Sequence, residues 1–242
     1  MSKTVKPYDS DESKKEQMSK MFDNIAPWYD FLNHFLSLGF DISWRKKTIS
    51  ALRKFQPKYI LDVATGTADL ALEAHRALKP ERIIGLDISQ EMLEIGKVKI
   101  AKKGLSYAIE LMAGDSEILP FQSNTFDAVT VAFGVRNFEN LELGLKEMNR
   151  VLKPGGHVAI LEFSSPTLFP FKQLYNFYFK NMLPIIGHIT SKDPKAYSYL
   201  YKSVQAFPDG KQFVELLEQI GFKNATHKIF TLGICTLYLA KK

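Results

Sequence analysis

Leu61–Ala74, LDVATGTADLALEA, is the stretch from which the fold can be read. A short apolar run enters a turn of small residues and leaves it in a helical pattern, the signature of a strand feeding a helix. When such a turn cradles a dinucleotide, three spaced glycines let the backbone amides approach the pyrophosphate at the helix N-terminus. Here Gly66 stands between Ala64 and Ala68. A ligand without a phosphate asks for less, mainly one position, Gly66, where the chain passes beneath it without a side chain.

The alternation continues on both sides of this turn. YILDVA is a strand, ADLALEAHRAL a helix, RIIGLD a strand, and SQEMLEIGKVKIAKK a helix opened by Ser89 as N-cap. YAIELMAGD and FDAVTVAF follow as strands, NLELGLKEMNRVL as a helix, and GGHVAILEFS as a fifth strand introduced by the turn Lys153-Pro154-Gly155-Gly156. Strands separated by helices predict a parallel, doubly wound sheet. FKNATHKIF and ICTLYLAKK are separated only by TLG, which predicts an antiparallel hairpin at the end of the chain. The expected fold class is therefore α/β, a Rossmann-like, mostly parallel seven-stranded sheet with an antiparallel C-terminal hairpin. That is the architecture of class I methyltransferases dependent on S-adenosylmethionine, a donor that carries no phosphate.

Acids at successive strand ends support that donor. Asp62 lies at the end of the first strand, Asp87 ends the second, and Asp115 with Ser116 follows the third, all on the carboxyl edge where open sheets bind ligands. Asp87 is placed to accept both ribose hydroxyls, and Asp115 with Ser116 to meet the adenine edge. Taken singly, each acid would fit a helix cap or a solvated turn; three at consecutive strand ends point to a ligand. Gly66 and Thr67 of the turn complete the expected donor site.

Composition narrows the class. The chain of 242 residues, 45% hydrophobic, can bury one substantial core, and its formal charge of +6 permits an anionic partner without requiring one. The lone Cys235 excludes an internal disulfide and a cysteine-only metal cluster, and it reads as a packed strand residue. The N-terminus MSKTVKPYDSDESKKEQ lacks the apolar run of a signal peptide, and no apolar stretch is long enough to span a bilayer, so a cytoplasmic protein is expected. Residues 1–20 read as a flexible charged arm and 21–242 as one domain, with a helical lid over 21–55 and a substrate cap over 164–208.

YDFLNHFLSLGFDISWR (Tyr29–Arg45) and RVLKPGGHVAILEFSSP (Arg150–Pro166) resemble the two signature segments of the ubiquinone/menaquinone biosynthesis C-methyltransferase family, and FDNIAPWYD, FGVRN and AFPDG extend the resemblance from about Ser19 to the C-terminus. Where the family pattern has a histidine in the first segment, this chain has Asp41. The resemblance implies transfer of a methyl group from S-adenosylmethionine, without a metal, to a ring carbon of a polyprenylated hydroquinone. Demethylmenaquinol is the favoured acceptor, because no mitochondrial-type Arg/Ser-rich presequence precedes the domain. The alternatives are a methoxybenzoquinol or RNA. The RNA reading lacks the Asn/Asp-Pro-Pro-aromatic motif of amine methylation, which AFGVRN replaces, so no nucleic acid partner is expected.

The chemistry needs few groups. A phenol has a pKa of about 10, so ionising it at neutral pH takes roughly 4 kcal/mol from the site. The ring carbon beside a phenolate is then nucleophilic without a covalent catalyst. Arg136 and Asn137, after the fourth strand, are the candidates to stabilise that oxygen; the competing role for Arg136 is an ion pair with Glu139 or Glu142. Tyr29 and Asp41 join them as catalytic candidates, with Asp30 and Asn33 in the lid. His34 and His188 are further candidate bases, and Glu162 a candidate to orient the substrate or hold its loop. The run SPTLFPFKQLYNFYFKNMLPIIGHITSKD is rich in aromatic and aliphatic residues, which fits a cap over a prenyl pocket with transient contact to the inner face of the membrane, Lys172, Lys180 and Lys192 facing the headgroups. The alternative is a core helix or a homodimer contact.

Overall fold

The computed structural model describes residues 5–177 and 194–242. Seven strands are present: β1 (Tyr59–Val63), β2 (Arg82–Asp87), β3 (Ile109–Ala113), β4 (Phe126–Ala132), β5 (Leu152–Phe163), β6 (Lys223–Phe230) and β7 (Cys235–Lys241). They form one sheet in the order β3-β2-β1-β4-β5-β7-β6, with β1 to β5 parallel and β7 antiparallel to both β5 and β6. Each strand expected from the sequence is in place, including the terminal hairpin. The Lys153–Gly156 turn differs from expectation in one respect: it lies inside β5, where the register against β4 shifts, rather than ahead of the strand.

Adjacent strand residues face opposite sides of the sheet, so each side builds its own core. Leu61, Val129 and Val131 pack with helices α6 (Leu141–Val151) and α9 (Lys211–Ile220). Ile60, Ile83 and Ala128 pack with α3 (Phe40–Leu52), α4 (Asp69–Leu78) and α5 (Gln90–Lys102). Ser89 caps α5 by accepting from the Met92 N–H, and Asn140 caps α6 through the Leu143 N–H, as short polar side chains do at helix starts.

The helix α1 (Lys14–Ile25) starts inside the stretch read as a charged arm. Ser13 and Glu16 form a reciprocal capping box at its start, and Lys14, Gln17, Met18 and Met21 are buried. Met18 and Met21 meet Ala196 and Tyr199 of α8 (Pro194–Ala206), so the N-terminal helix and the cap close on one another above the sheet edge. Between them stand α2 (Tyr29–Leu36) and, in the cap, α7 (Phe171–Phe177).

The turn after β1 departs from the expectation that only Gly66 is special. Ala64 (φ 52°), Gly66 (φ 54°) and Ala68 (φ 69°) all adopt left-handed backbone. For alanine that conformation costs on the order of 1 kcal/mol. The methyl groups are nevertheless used: Ala68 is fully buried in the core, and the Ala64 Cβ lies 2.6 Å from where a Cβ on Gly134 would stand.

Candidate active site

Two cavities lie side by side at the carboxyl edge of the sheet. The narrower is floored by Ala64, Gly66, Gly114 and Gly134, with Asp87, Asp115 and Ser116 at its polar end and Leu86, Ile88, Met92 and Phe138 among its apolar walls. Small residues leave room there for a flat ligand: a Cβ on Gly114 would come within 2.5 Å of the Leu86 side chain. Asp87 is 8% exposed; its Oδ2 accepts from the Gly66 N–H at 2.7 Å and its Oδ1 from the Ser89 N–H at 2.9 Å. Burial raises its pKa above the ordinary carboxylate value, opposed by these backbone donors. The carboxylate, at the polar end of the cleft, has acceptor capacity beyond these backbone donors, which suits a hydroxyl-bearing ligand.

The two other donor candidates from the β1 region are placed differently. Asp62 lines neither cavity; its oxygens accept from Thr65 and Thr130 hydroxyls, each at 2.6 Å, and burial pushes its pKa up to about 6. It ties the turn to β4. Thr67 donates to Asp30 Oδ1 at 2.6 Å and receives a bond from Lys99 Nζ at 3.1 Å, which latches α2 onto the donor loop.

Helix α1 roofs the narrower cavity. Lys15, Met18 and Phe22 line it, Lys15 pairs with Asp115, and Asp23 accepts from the Ser89 hydroxyl at 2.6 Å. The buried Lys14 ammonium donates to the carbonyls of Arg136 (3.1 Å) and Phe138 (2.7 Å), clamping the segment that carries Arg136 and Asn137; burial, helped by the Arg136 charge, lowers its pKa to about 8. Losing a donor to two buried carbonyls costs on the order of 1–3 kcal/mol. Lys14→Met is therefore expected to lower kcat/KM about tenfold or more and to speed proteolysis within α1, checked by steady-state kinetics and limited digestion.

The larger cavity, about 340 Å³, is walled by Met21, Leu32, Leu36, Trp44, Phe163, Phe171 and Leu174 among others. Phe22, Tyr29, Phe133 and Asn137 line both cavities and form the partition between them. Among the described residues Arg136 is the one formal charge on the larger cavity's wall. Its Nη1 donates to Glu162 Oε1 at 2.5 Å and to the Phe133 carbonyl at 2.6 Å, its Nε is buried without a partner among the described residues, and it lies over the Phe163 ring. The partner is thus Glu162, not Glu139 or Glu142: Glu139 accepts from the Lys14 N–H and Glu142 faces Lys146 instead. Glu162 is fully buried behind the guanidinium and does not line the cavity, so the cavity meets the positive end of the pair. Asn137 donates to the Phe133 carbonyl at 3.2 Å and accepts from the Tyr199 hydroxyl at 3.2 Å.

Tyr29 stands on the partition, its phenol raised in pKa by desolvation. Asn33 also lines the larger cavity. Asp41 does not reach it: its 2% exposed carboxylate is taken by Ser37 (2.7 Å), His34 Nδ1 (2.7 Å) and the Arg45 ion pair, and these partners hold its pKa down against burial. His34 faces an open outer recess with Arg45 and Asp69. His188, Lys180 and Lys192 lie outside the described residues. Cys235 is fully buried in β7, lines neither cavity, and burial holds its thiol protonated.

Lys14, Lys15, Phe22, Phe133 and Tyr199 are site residues that the motifs did not single out. The Ser13-x-x-Glu16 box followed by Met18, Met21, Phe22 and Ile25 at helical spacing was the available signal for the first three.

A family model described as the ubiE/COQ5 methyltransferase family matches residues 10–242. The chain is 51% identical over 238 residues to the demethylmenaquinone methyltransferase of Bacteroides fragilis, covering 98% of this chain and 97% of that protein. It is 48% identical over 230 residues to the ubiquinone/menaquinone biosynthesis C-methyltransferase UbiE of Geotalea daltonii, covering 95% and 97%. Among solved structures, a SAM-dependent methyltransferase of Thermotoga maritima aligns with a TM-score of 0.63 at 17% identity over 93% of this chain and 99% of that one, a likeness of fold.

Proposed function

Because the chain belongs to the ubiE/COQ5 methyltransferase family, we propose that it methylates a ring carbon of a polyprenylated hydroquinone, converting demethylmenaquinol to menaquinol. The observation that carries this reading is the partition of Phe22, Tyr29, Phe133 and Asn137, with an acid-tipped cleft on one side and an apolar cavity holding, among the described residues, a single guanidinium on the other. S-adenosylmethionine, held by Asp87, Gly66, Asp115 and Ser116, supplies an electrophilic methyl group on a sulfonium.

The protein's own task is to make the acceptor carbon nucleophilic and to aim it. No carboxylate or imidazole lines the larger cavity among the described residues, so a quinol hydroxyl there gives its proton to solvent and is ionised by stabilising its anion. Arg136 does this, rigidly held by Glu162 and the Phe133 carbonyl before substrate arrives. As the methyl passes from sulfur to the ring carbon, S-adenosylhomocysteine leaves and the carbon's displaced proton is released to solvent, restoring the aromatic ring. Asn137, fixed by Tyr199, and Tyr29 on the partition keep the ring in line with the donor. The Lys14 clamp and the Asp30–Thr67 latch join the lid to both cavities.

Incubation with labelled S-adenosylmethionine and, separately, reduced demethylnaphthoquinol, methoxybenzoquinol or bulk RNA tests the assignment. Label is expected in the naphthoquinol product; label in RNA alone overturns it. The apolar cavity adds a second expectation. Leu174 lines its mouth and is 61% exposed, so Leu174→Asp is expected to lower turnover of a long-chain quinol about tenfold more than that of a short-chain analogue. Equal loss on both substrates would assign α7 a packing role instead. No helix among the described residues is long and apolar enough to cross a membrane.

A further inference from the structure

Tyr59, Val98, Tyr107, Ile118 and Leu143 are exposed singly elsewhere, but the other large exposed apolar side chains of the described residues fall in three segments. Phe35 and Leu38 follow one another across the α2–α3 junction, Leu168 and Phe169 precede α7, and Ile229 and Leu232 flank the β6–β7 turn. Leu38 is 82% exposed, Phe169 80% and Leu232 57%. Leu38, Leu174 and Leu232, one from each segment, also line the larger cavity, so the three segments converge on its mouth. An exposed apolar patch concentrated around one opening marks a contact surface rather than scattered surface residues.

The three segments themselves, within the described residues, carry an excess of positive charge. Residues 31–52 contain a single acid, Asp41, which is buried and paired with Arg45, and residues 163–177 and 222–242 contain no Asp or Glu at all. The same segments expose Lys46, Lys47, Lys172 and Lys228, and Lys47 Nζ lies 5.3 Å from the centre of the Phe230 ring, beside the β6–β7 turn. Apolar tips flanked by exposed lysines, on segments whose one acid among the described residues is buried, complement a bilayer with anionic headgroups. A second copy of the chain would set two such lysine-bearing faces against each other, and a polyanion alone would leave the apolar tips in water.

We propose that this rim is a docking surface for an anionic lipid bilayer, which brings the cavity mouth to the acyl boundary so that a prenylated quinol enters tail-last from the membrane. The second half of that statement rests on the quinol assignment above; the docking itself does not.

The test uses the full chain with vesicles of phosphatidylcholine alone or mixed with phosphatidylglycerol, containing neither quinol nor donor. Sedimentation is expected to show binding to the mixed vesicles that weakens with added salt. Leu168→Glu/Phe169→Glu, at positions that do not line either cavity, should reduce that binding about tenfold or more while leaving turnover of a water-soluble short-chain quinol unchanged. Lys46→Glu/Lys228→Glu should reduce binding to the mixed vesicles severalfold and abolish their advantage over phosphatidylcholine. Absence of vesicle binding, or equal binding by the Leu168/Phe169 variant, overturns the proposal, as does a dimer that the same variant dissociates. Intact vesicle binding with no methyl transfer to any quinol would instead overturn the functional assignment and leave the surface standing.

Discussion

Replacing Arg136 with alanine is expected to lower kcat on the order of a hundredfold or more at neutral pH, with a smaller change in donor affinity. As the quinol loses its proton, charge grows on an oxygen beside the acceptor carbon, and a fixed guanidinium stabilises that state more than the neutral quinol. The guanidinium is fixed here by Glu162 and the Phe133 carbonyl, and the surrounding cavity is apolar, which strengthens its field. Arg136→Lys should recover little, because a single ammonium cannot hold Glu162 and face the cavity at once. Raising pH should partly rescue the alanine variant, since the quinol, with a pKa of about 10, then ionises with less help.

The same ion pair sets a control. Removing Arg136 strands a fully buried Glu162, and breaking a buried pair costs about 3–5 kcal/mol. Thermal melting must therefore accompany the kinetics, and Arg136→Ala/Glu162→Gln removes the stranded charge. A double variant that folds and keeps near-normal kcat at neutral pH, measured anaerobically with reduced substrate, would make Arg136 a structural partner of β5 only.

The sheet was legible because its strands are buried on both faces, so β1, β2, β4 and β5 read as continuous apolar runs between turn residues. The hairpin of β6 and β7 was legible because three residues cannot carry a parallel crossover. Pairing of Arg136 was not, since chain proximity favours Glu139 and Glu142. The partner comes from 26 residues away, where the β4–β5 register sets Ala132 beside Leu161 and so brings Glu162 to the segment after β4. The lid was half legible. Tyr29 lines both cavities, Asn33 only the larger one, and Asp30 lines neither but holds Thr67, while Asp41 of the same segment turns away, because α3 buries it against Arg45, four residues on. Helix α1 was hidden by its composition: a charged stretch usually stays solvated, and here Lys14 and Lys15 find carbonyl and carboxylate partners on the sheet edge only in the folded chain. The two alanines at φ > 0 show the same limit in reverse, as tertiary packing of their methyl groups overrides local backbone preference.

Loss of the Asp87 carboxylate is expected to weaken S-adenosylmethionine binding by roughly 2 kcal/mol or more, about thirtyfold, because hydrogen bonds to a buried charged acceptor are worth about 1.5–3 kcal/mol each. Asp87→Ala also orphans the N–H groups of Gly66 and Ser89, so part of any loss could come from a shifted turn. A comparison of ligands separates the two contributions. Titration calorimetry with S-adenosylhomocysteine and its 2′-deoxy analogue should give a tenfold or larger preference for the ribose form in the wild-type chain, and none in Asp87→Ala. A turn that merely shifts would weaken both ligands and preserve the preference. Acidification offers an independent measure. Burial holds the folded pKa of Asp87 above that of a free aspartate, so donor affinity should stay level at neutral pH and begin to fall at a higher pH than an exposed carboxylate would dictate. An alanine variant that folds and still distinguishes the two ligands would move ribose recognition to another residue of the cleft and leave Asp87 as the brace that holds Gly66 in its left-handed turn.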